Sequence, residues 1–330
     1  MQTRKMLMDR LFPNGVPRLW CPAITHYRDD GTIDAGRARA HLRFLARYVG
    51  GLLVPGSTGD GWDQSRDLKR TLLDVVLPEA RRLGLPVLLG VLERTADTMQ
   101  TFLTEFEAVT GDAVAGIVVC PPSGAELSQA EIREALERVL GRGRPTVLYQ
   151  LPQVTMNEMS PGTVDDLAGR YPNLIMVKDS GGGDAIARSG LARGVVLVRG
   201  AELDYANWIK PLGPYDGFLL STANWLAHAI RELVDDPAGS IAGGLATRID
   251  RAVSGAFELV GGFPHGNAFA NSAKLMDHVM AFGERAAERP GPRFMNGSTA
   301  PQEAVAAGVT LLRETGFLPP NGYCEAGTDI

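Results

Sequence analysis

Residues 174–181 read Leu174-Ile175-Met176-Val177-Lys178-Asp179-Ser180-Gly181. Four apolar residues run without a break into a lysine, and polar or small residues follow. Such a run, with no alternation, fits a parallel strand buried on both faces. Its polar end then marks the edge of a sheet. Seven more runs have the same form, at 19–24, 51–55, 86–91, 116–121, 145–150, 195–200 and 216–221. They are rich in Val, Ile and Leu, which suit strands.

Helical patterns lie between the runs. Asp34 stands where a helix cap belongs, ahead of Ala38, Leu42 and Leu45 on one face. Ser128 and Glu131 have capping-box spacing, with Leu127 and Ile132 placed as a hydrophobic staple. Ser160-Pro161 reads as an N-cap and a first-turn proline. Eight strand–helix pairs over residues 19–235 predict a (β/α)8 TIM barrel, a fold of about 250 residues. An open doubly wound sheet has the same local pattern. Its Gly-x-Gly-x-x-Gly phosphate signature after the first strand is missing here. After residue 236 the strand rhythm stops. Stretches 241–260, 268–282 and 302–315 look helical, 288–301 is a Pro/Gly-rich connection, and 319–330 reads as a loose tail. The expected organisation is a catalytic barrel with a short N-terminal lead-in over 1–236, then a helical C-terminal segment and tail over 237–330.

Composition narrows the function class. Of 330 residues, 45% are hydrophobic and 22% charged, which is enough apolar material for a full core and excludes a disordered chain. A net charge of −5 gives no basic surplus for nucleic acid. No apolar run approaches the roughly 18 residues of a membrane span. Arg4, Lys5, Asp9 and Arg10 interrupt any signal-peptide core. Cys21, Cys120 and Cys324 are too sparse for a disulfide framework or a zinc site. His26, His41, His228, His265 and His278 form no ligand pair by spacing. The expectation is a cytoplasmic enzyme that uses no metal and no cofactor.

Chemistry in a barrel sits where strands end at the C-terminal face. The polar residues at those ends are therefore the candidates. Lys178 closes the sixth run. An amine at the edge of an apolar barrel loses hydration, which favours its neutral form. A neutral amine can attack a ketone and form a Schiff base. Tyr149 closes the fifth run at the same level, where a phenol can relay protons. The turn Gly56-Ser57-Thr58-Gly59-Asp60 offers hydroxyls and backbone N–H groups, a cradle for a carboxylate. Ser221 and Thr222 end the eighth run. The glycines 181–183 could seat a phosphate, although a plain turn is the favoured reading. Trp62, Trp208 and Trp225 are read as core or rim packing.

Three of these pieces, Gly56-Ser57-Thr58-Gly59-Asp60, Tyr149-Gln150-Leu151-Pro152 and Val177-Lys178-Asp179-Ser180-Gly181, resemble the motifs of the dihydrodipicolinate synthase / N-acetylneuraminate lyase superfamily. Those proteins are Schiff-base lyases on (β/α)8 barrels. The resemblance spans about residues 19–282. It implies that Lys178 is the Schiff-base lysine and Tyr149 the proton shuttle. It implies that Ser57 links to the tyrosine relay and that Thr58 helps hold the keto-acid carboxylate. Gly56 and Gly59 of the cradle turn, and Ser221 at the end of the eighth run, are further candidate substrate contacts by position. Asp60 replaces the more usual glutamate.

The departures bear on substrate. Where the synthase carries an arginine for its second substrate, this chain has Val154. Where the synthase borrows a tyrosine from a neighbouring subunit, this chain reads Cys120-Pro121-Pro122-Ser123. The reading is a class I lyase, either aldolase or dehydratase, acting on a small-molecule 2-keto acid, a 2-keto-3-deoxy sugar acid or a pyruvate-derived aldol. Dihydrodipicolinate synthase-like condensation and a non-catalytic keto-acid-binding barrel are the alternatives. The resemblance also implies a homo-oligomer, a dimer or a tetramer.

Overall fold

Strand side chains alternate, so each strand of a closed sheet sends one set inward and one set outward. The structure, a computed structural model, describes residues 3–192, 194–263 and 266–325. Its eight strands are β1 (Leu19–Pro22), β2 (Gly51–Val54), β3 (Val87–Val91), β4 (Gly116–Val119), β5 (Thr146–Gln150), β6 (Leu174–Asp179), β7 (Val196–Arg199) and β8 (Gly217–Leu219). They close in chain order into a parallel barrel. All eight lie within the predicted runs. Trp20, Leu53, Leu88, Val118, Val147, Met176, Val198 and Leu219 form the barrel interior. Their neighbours, such as Leu52, Leu89, Ile117 and Leu148, pack outward against the helices. The β5–β6 register shifts between Thr146 and Val147; beyond the shift, Val147 pairs with Met176 and Tyr149 with Lys178.

The predicted caps are present. The Asp34 side chain accepts from the Arg37 N–H at the head of the helix Ala35–Leu45. Both halves of the Ser128–Glu131 capping box are made. The N-terminal lead-in holds a helix, Arg4–Leu11, that the sequence reading missed. Its charges hide a short apolar face. Leu7, Met8 and Phe12 join the barrel-interior cluster, and Phe12 meets Trp20 edge-on at 5.7 Å. Arg4 Nε donates to the carbonyl of Leu174, the first residue of β6. This helix therefore covers the N-terminal end of the barrel, opposite the end where Lys178 lies.

Beyond β8 the chain is helical, with helices Pro237–Ala242, Leu245–Val260, Ala268–Phe282 and Gln302–Thr315 among others. The stretch predicted as one helix over 241–260 is broken at Gly243-Gly244, where Gly244 takes φ +76°. The tail is a larger correction. Residues 319–325 are not loose, because Tyr323 stacks on Phe44 at 4.7 Å and donates to Asp277 Oδ1 at 2.6 Å. Residues 326–330 lie outside the described residues. Asp277 also accepts from Arg37 Nη2 at 2.7 Å and pairs with His26 Nε2 at 3.0 Å. Burial opposes its charge, yet Arg37 and the two nearby imidazoles hold its carboxyl well below the usual carboxylate range.

The histidines behave oppositely. Burial pushes His26 down to about 4 against the pull of Asp277, and burial pushes His278 down to about 4 as well. In an unfolded chain, histidine titrates near about 6.5. Between those values the unfolded chain binds protons that the folded one does not, so stability falls as pH falls through the window. Urea midpoints measured at pH 7.5, 6 and 5 should decline in that order, and His278→Gln should shrink the decline. A midpoint flat across this range contradicts the assignment.

Candidate active site

Lys178 lies two residues beyond Met176 on β6, so both face the barrel interior. It is 4% exposed. Tyr149 stands directly opposite on β5 and belongs to the interior cluster. The Lys178 Nζ lies 3.9 Å from the centroid of the Tyr149 ring. A cation over a phenol face is attracted by the ring quadrupole. Among the described residues, Lys178 makes no ion pair and the Tyr149 hydroxyl makes no hydrogen bond. Cys120, at the end of β4, lines the same interior; burial pushes its thiol up, and the charge of Lys178 opposes the rise.

Room for the amine comes from Gly200, just past β7. A Cβ there would lie 2.6 Å from Lys178 Cε and would overlap Ser180 Oγ. No other residue type leaves the lysine stem in place.

The turn after β2 is held by its own backbone. The carbonyl of Gly56 accepts from the N–H groups of Gly59 and Gly61, and that of Ser57 accepts from Asp60. The N–H groups of Ser57 and Thr58 have no partner among the described residues. The Gly59 N–H is used inside the turn, whereas the Gly56 N–H, like those of Ser57 and Thr58, has no partner among the described residues. The cradle therefore offers these three amides and the two hydroxyls. A Cβ on Gly59 would lie 2.5 Å from the Ala23 carbonyl oxygen, so only glycine fits. The expected link from Ser57 to the tyrosine relay is not made directly. Ser57 Oγ instead accepts from Trp62 Nε1 at 2.8 Å. Trp62 follows five residues later and folds its indole back over the turn. This leaves the Ser57 O–H free to donate elsewhere. Trp62 is thus more than packing; Trp225 is a core residue, and Trp208 stacks against Arg199 at 4.3 Å.

Ser221, at the end of β8, is not a free contact. Its hydroxyl donates to Glu202 Oε1. Glu202 also accepts from the Tyr205 hydroxyl at 2.7 Å and from the Thr222 hydroxyl at 2.8 Å. The sequence reading passed over Glu202, although the rule that found Ser221 applies three residues past β7. Leu203 and Asp204 beyond it both take left-handed φ, +72° and +56°. Arg199 Nη1 bonds the carbonyls of Ala201 and Leu203 and fixes this loop.

Asp179 points the other way from Lys178, into the helix layer. Its Oδ1 accepts from the Gly181 N–H at 2.9 Å and ties down the turn behind the lysine. Burial pushes its carboxyl up. The glycines 181–183 lead to a helix of five residues, Ala185–Ser189, whose N-cap position holds Asp184 without a side-chain cap bond. The Asp184 carboxylate turns away from the helix head to accept from Arg199 and from the Tyr215 hydroxyl.

One grouping has no sequence signal. His26, His41 and Asp277 bring ligand-type atoms within 4.8 Å of one another, from positions far apart in the chain. Arg37 already holds the Asp277 carboxylate. His265 lies outside the described residues. No described helix is long and apolar enough to cross a membrane.

With this geometry in hand, comparison with known proteins is informative. The model of the dihydrodipicolinate synthetase family matches residues 16–243. The chain belongs to that family. It is 30% identical over 186 residues to 4-hydroxy-tetrahydrodipicolinate synthase 1 of Streptomyces coelicolor, covering 53% of this chain and 58% of that one. It is 28% identical over 218 residues to the 4-hydroxy-tetrahydrodipicolinate synthase of Mycolicibacterium paratuberculosis, covering 64% and 69%. The first of these matches thus spans little more than half the length of the relative. Among solved structures, a prophage protein of the dihydrodipicolinic acid synthase family from E. coli K12, in complex with pyruvate, has a TM-score of 0.75 at 21% identity, covering 91% of this chain and 98% of that one. A Clostridium difficile protein in complex with mannosamine has a TM-score of 0.71 at 15% identity, covering 90% and 98%. These two likenesses carry the fold.

Within this dihydrodipicolinate synthetase family member, two departures are structural as well as sequential. Val154 packs against the barrel-interior cluster, so its position in the mouth is apolar. The loop after β4 is anchored without a tyrosine, by Ser123 N–H to the Arg94 carbonyl and by Asn157 Nδ2 to the Pro122 carbonyl. Gly200→Ala should fold and should displace the lysine stem. A crystal structure of the variant should show Lys178 Cε moved away from residue 200. An unmoved Lys178 would show that Gly200 does not make the space.

Proposed function

We propose that this chain is a class I lyase that forms a Schiff base with a 2-keto acid through Lys178. The observation that carries this reading is the buried Lys178 amine set 3.9 Å over the face of Tyr149, with no carboxylate paired to it among the described residues. Unprotonated Lys178 Nζ adds to the C2 carbonyl, and a proton passes from that nitrogen to the former carbonyl oxygen, giving a carbinolamine. Tyr149 delivers a proton to the departing hydroxyl, water leaves, and the protonated imine forms. The two free amides and hydroxyls of Ser57 and Thr58 receive the substrate carboxylate. The protonated imine then accepts the electrons of a breaking bond. In an aldolase that bond is C3–C4. In a dehydratase it is the C3–H bond, followed by loss of a hydroxyl.

One feature favours a polyhydroxy keto acid, such as a 2-keto-3-deoxy sugar acid, over a dicarboxylate partner: Val154 supplies no cation in the mouth. We assign catalysis to the barrel portion up to residue 236 and bracing of its mouth to the helices after it. A cytoplasmic homo-oligomer is part of the same proposal.

Incubation with pyruvate and borohydride, followed by intact mass, should add one reduced pyruvate. Lys178→Ala should abolish the adduct, and Tyr149→Phe should keep the fold while slowing trapping by about 100-fold or more, the usual worth of a placed proton donor. An adduct that survives Lys178→Ala contradicts the mechanism. If the adduct forms but no sugar acid in a panel is turned over, the barrel binds keto acids without catalysis.

A further inference from the structure

The cradle turn contains a residue in an expensive conformation. Asp60 is not glycine, yet it takes φ +64°. Left-handed backbone at such a residue persists only where the surroundings hold it. Its backbone N–H closes the turn onto the Ser57 carbonyl at 3.2 Å, so its conformation sets where the free amides of Ser57 and Thr58 point.

Part of what holds Asp60 comes from outside the barrel. Lys274 lies on the helix Ala268–Phe282 and is 3% exposed. Its ammonium donates to Asp60 Oδ2 at 2.5 Å and lies 4.7 Å from the Tyr27 ring centroid. The Tyr27 hydroxyl donates to the same carboxylate oxygen at 2.9 Å. Gln64 Nε2 bonds the Tyr27 hydroxyl and the Gly59 carbonyl, both at 3.0 Å, and so ties this group back to the turn. Burial pulls the Lys274 ammonium below the ordinary lysine range, and Asp60 opposes it. Lys274 is the only cation on Asp60 among the described residues.

We propose that Lys274 is a positioning residue for the carboxylate cradle: through Asp60 it holds the 56–61 turn in the shape that lets the Ser57 and Thr58 amides receive a keto-acid carboxylate. The inference rests on the lyase reading above and extends it to a residue in the C-terminal helices. Lys274 touches no substrate and acts on carboxylate binding, not on imine chemistry. The shorter aspartate at position 60 is reached because the helix brings a long side chain to it.

The test uses the full chain and pyruvate. Lys274→Met and Asp60→Asn each break the pair. Each should raise the pyruvate concentration for half-maximal borohydride trapping by about tenfold, while the rate at saturating pyruvate stays within about twofold, the signature of lost ground-state binding. Lys274→Arg should restore most of the affinity. Asp60→Asn leaves the helix Ala268–Phe282 untouched and decides the matter if Lys274→Met does not fold. Amide exchange of residues 56–61 should quicken in both disrupted variants. Half-saturation within about twofold of the original protein in both would overturn the proposal, since a merely structural pair would change melting without this split. If the original protein traps no pyruvate, the Lys178 reading falls. Amide exchange then decides on Lys274 alone: unchanged protection of the turn overturns its role.

Discussion

A lysine amine inside an apolar cylinder is costly unless something accepts it. Here the face of Tyr149 meets Lys178, and no carboxylate is paired with it among the described residues. That arrangement is set by strand geometry. Lys178 shares the inward phase of Met176, the register beyond the β5 irregularity puts Tyr149 opposite, and Gly200 leaves the volume that the stem fills. A slip of one residue in β6 would turn the amine into the helix layer, where Asp179 now lies. In the proposed mechanism the lysine is available to a carbonyl because the barrel admits it and no counter-ion among the described residues claims it.

Around this centre, two layers of support differ in origin. In the proposed lyase, the barrel supplies the reacting side chains from its strand ends. The C-terminal helices supply charge pairs that reach the loops at the mouth. Lys274 meets Asp60 in the cradle turn, and Asp277 meets His26 in the loop after β1. Tyr323 and Arg37 complete the second pair and draw residues 319–325 onto the same helix. The mouth is therefore braced by the segment after the barrel, which accounts for a helix as buried as Ala268–Phe282.

The sequence made the barrel legible because its strands are continuous apolar runs ending in polar residues, a pattern that needs no tertiary information. The strand-end positions of Lys178 and Tyr149 were legible for the same reason, since each stands at or next to the end of its run. Glu202 obeyed the rule but was overlooked, because one acidic residue in a loop is common. The helix Arg4–Leu11 was hidden by its charges, which mask Leu7 and Met8. Lys274, Asp277 and Tyr323 were out of reach in principle. Their partners lie 214, 251 and 46 positions away, and no local period records such contacts. Trp62 was read as packing because spacing does not reveal that its indole N–H would find Ser57.

The most direct measurement is a crystal structure of the protein soaked with pyruvate. The account predicts unbroken density from Lys178 Nζ to C2 of the ligand, with the carboxylate on the amides of Ser57 and Thr58 and the Tyr149 hydroxyl beside the new bond. Pyruvate bound elsewhere, or a Lys178 side chain turned out of the barrel with the mouth empty, would contradict it.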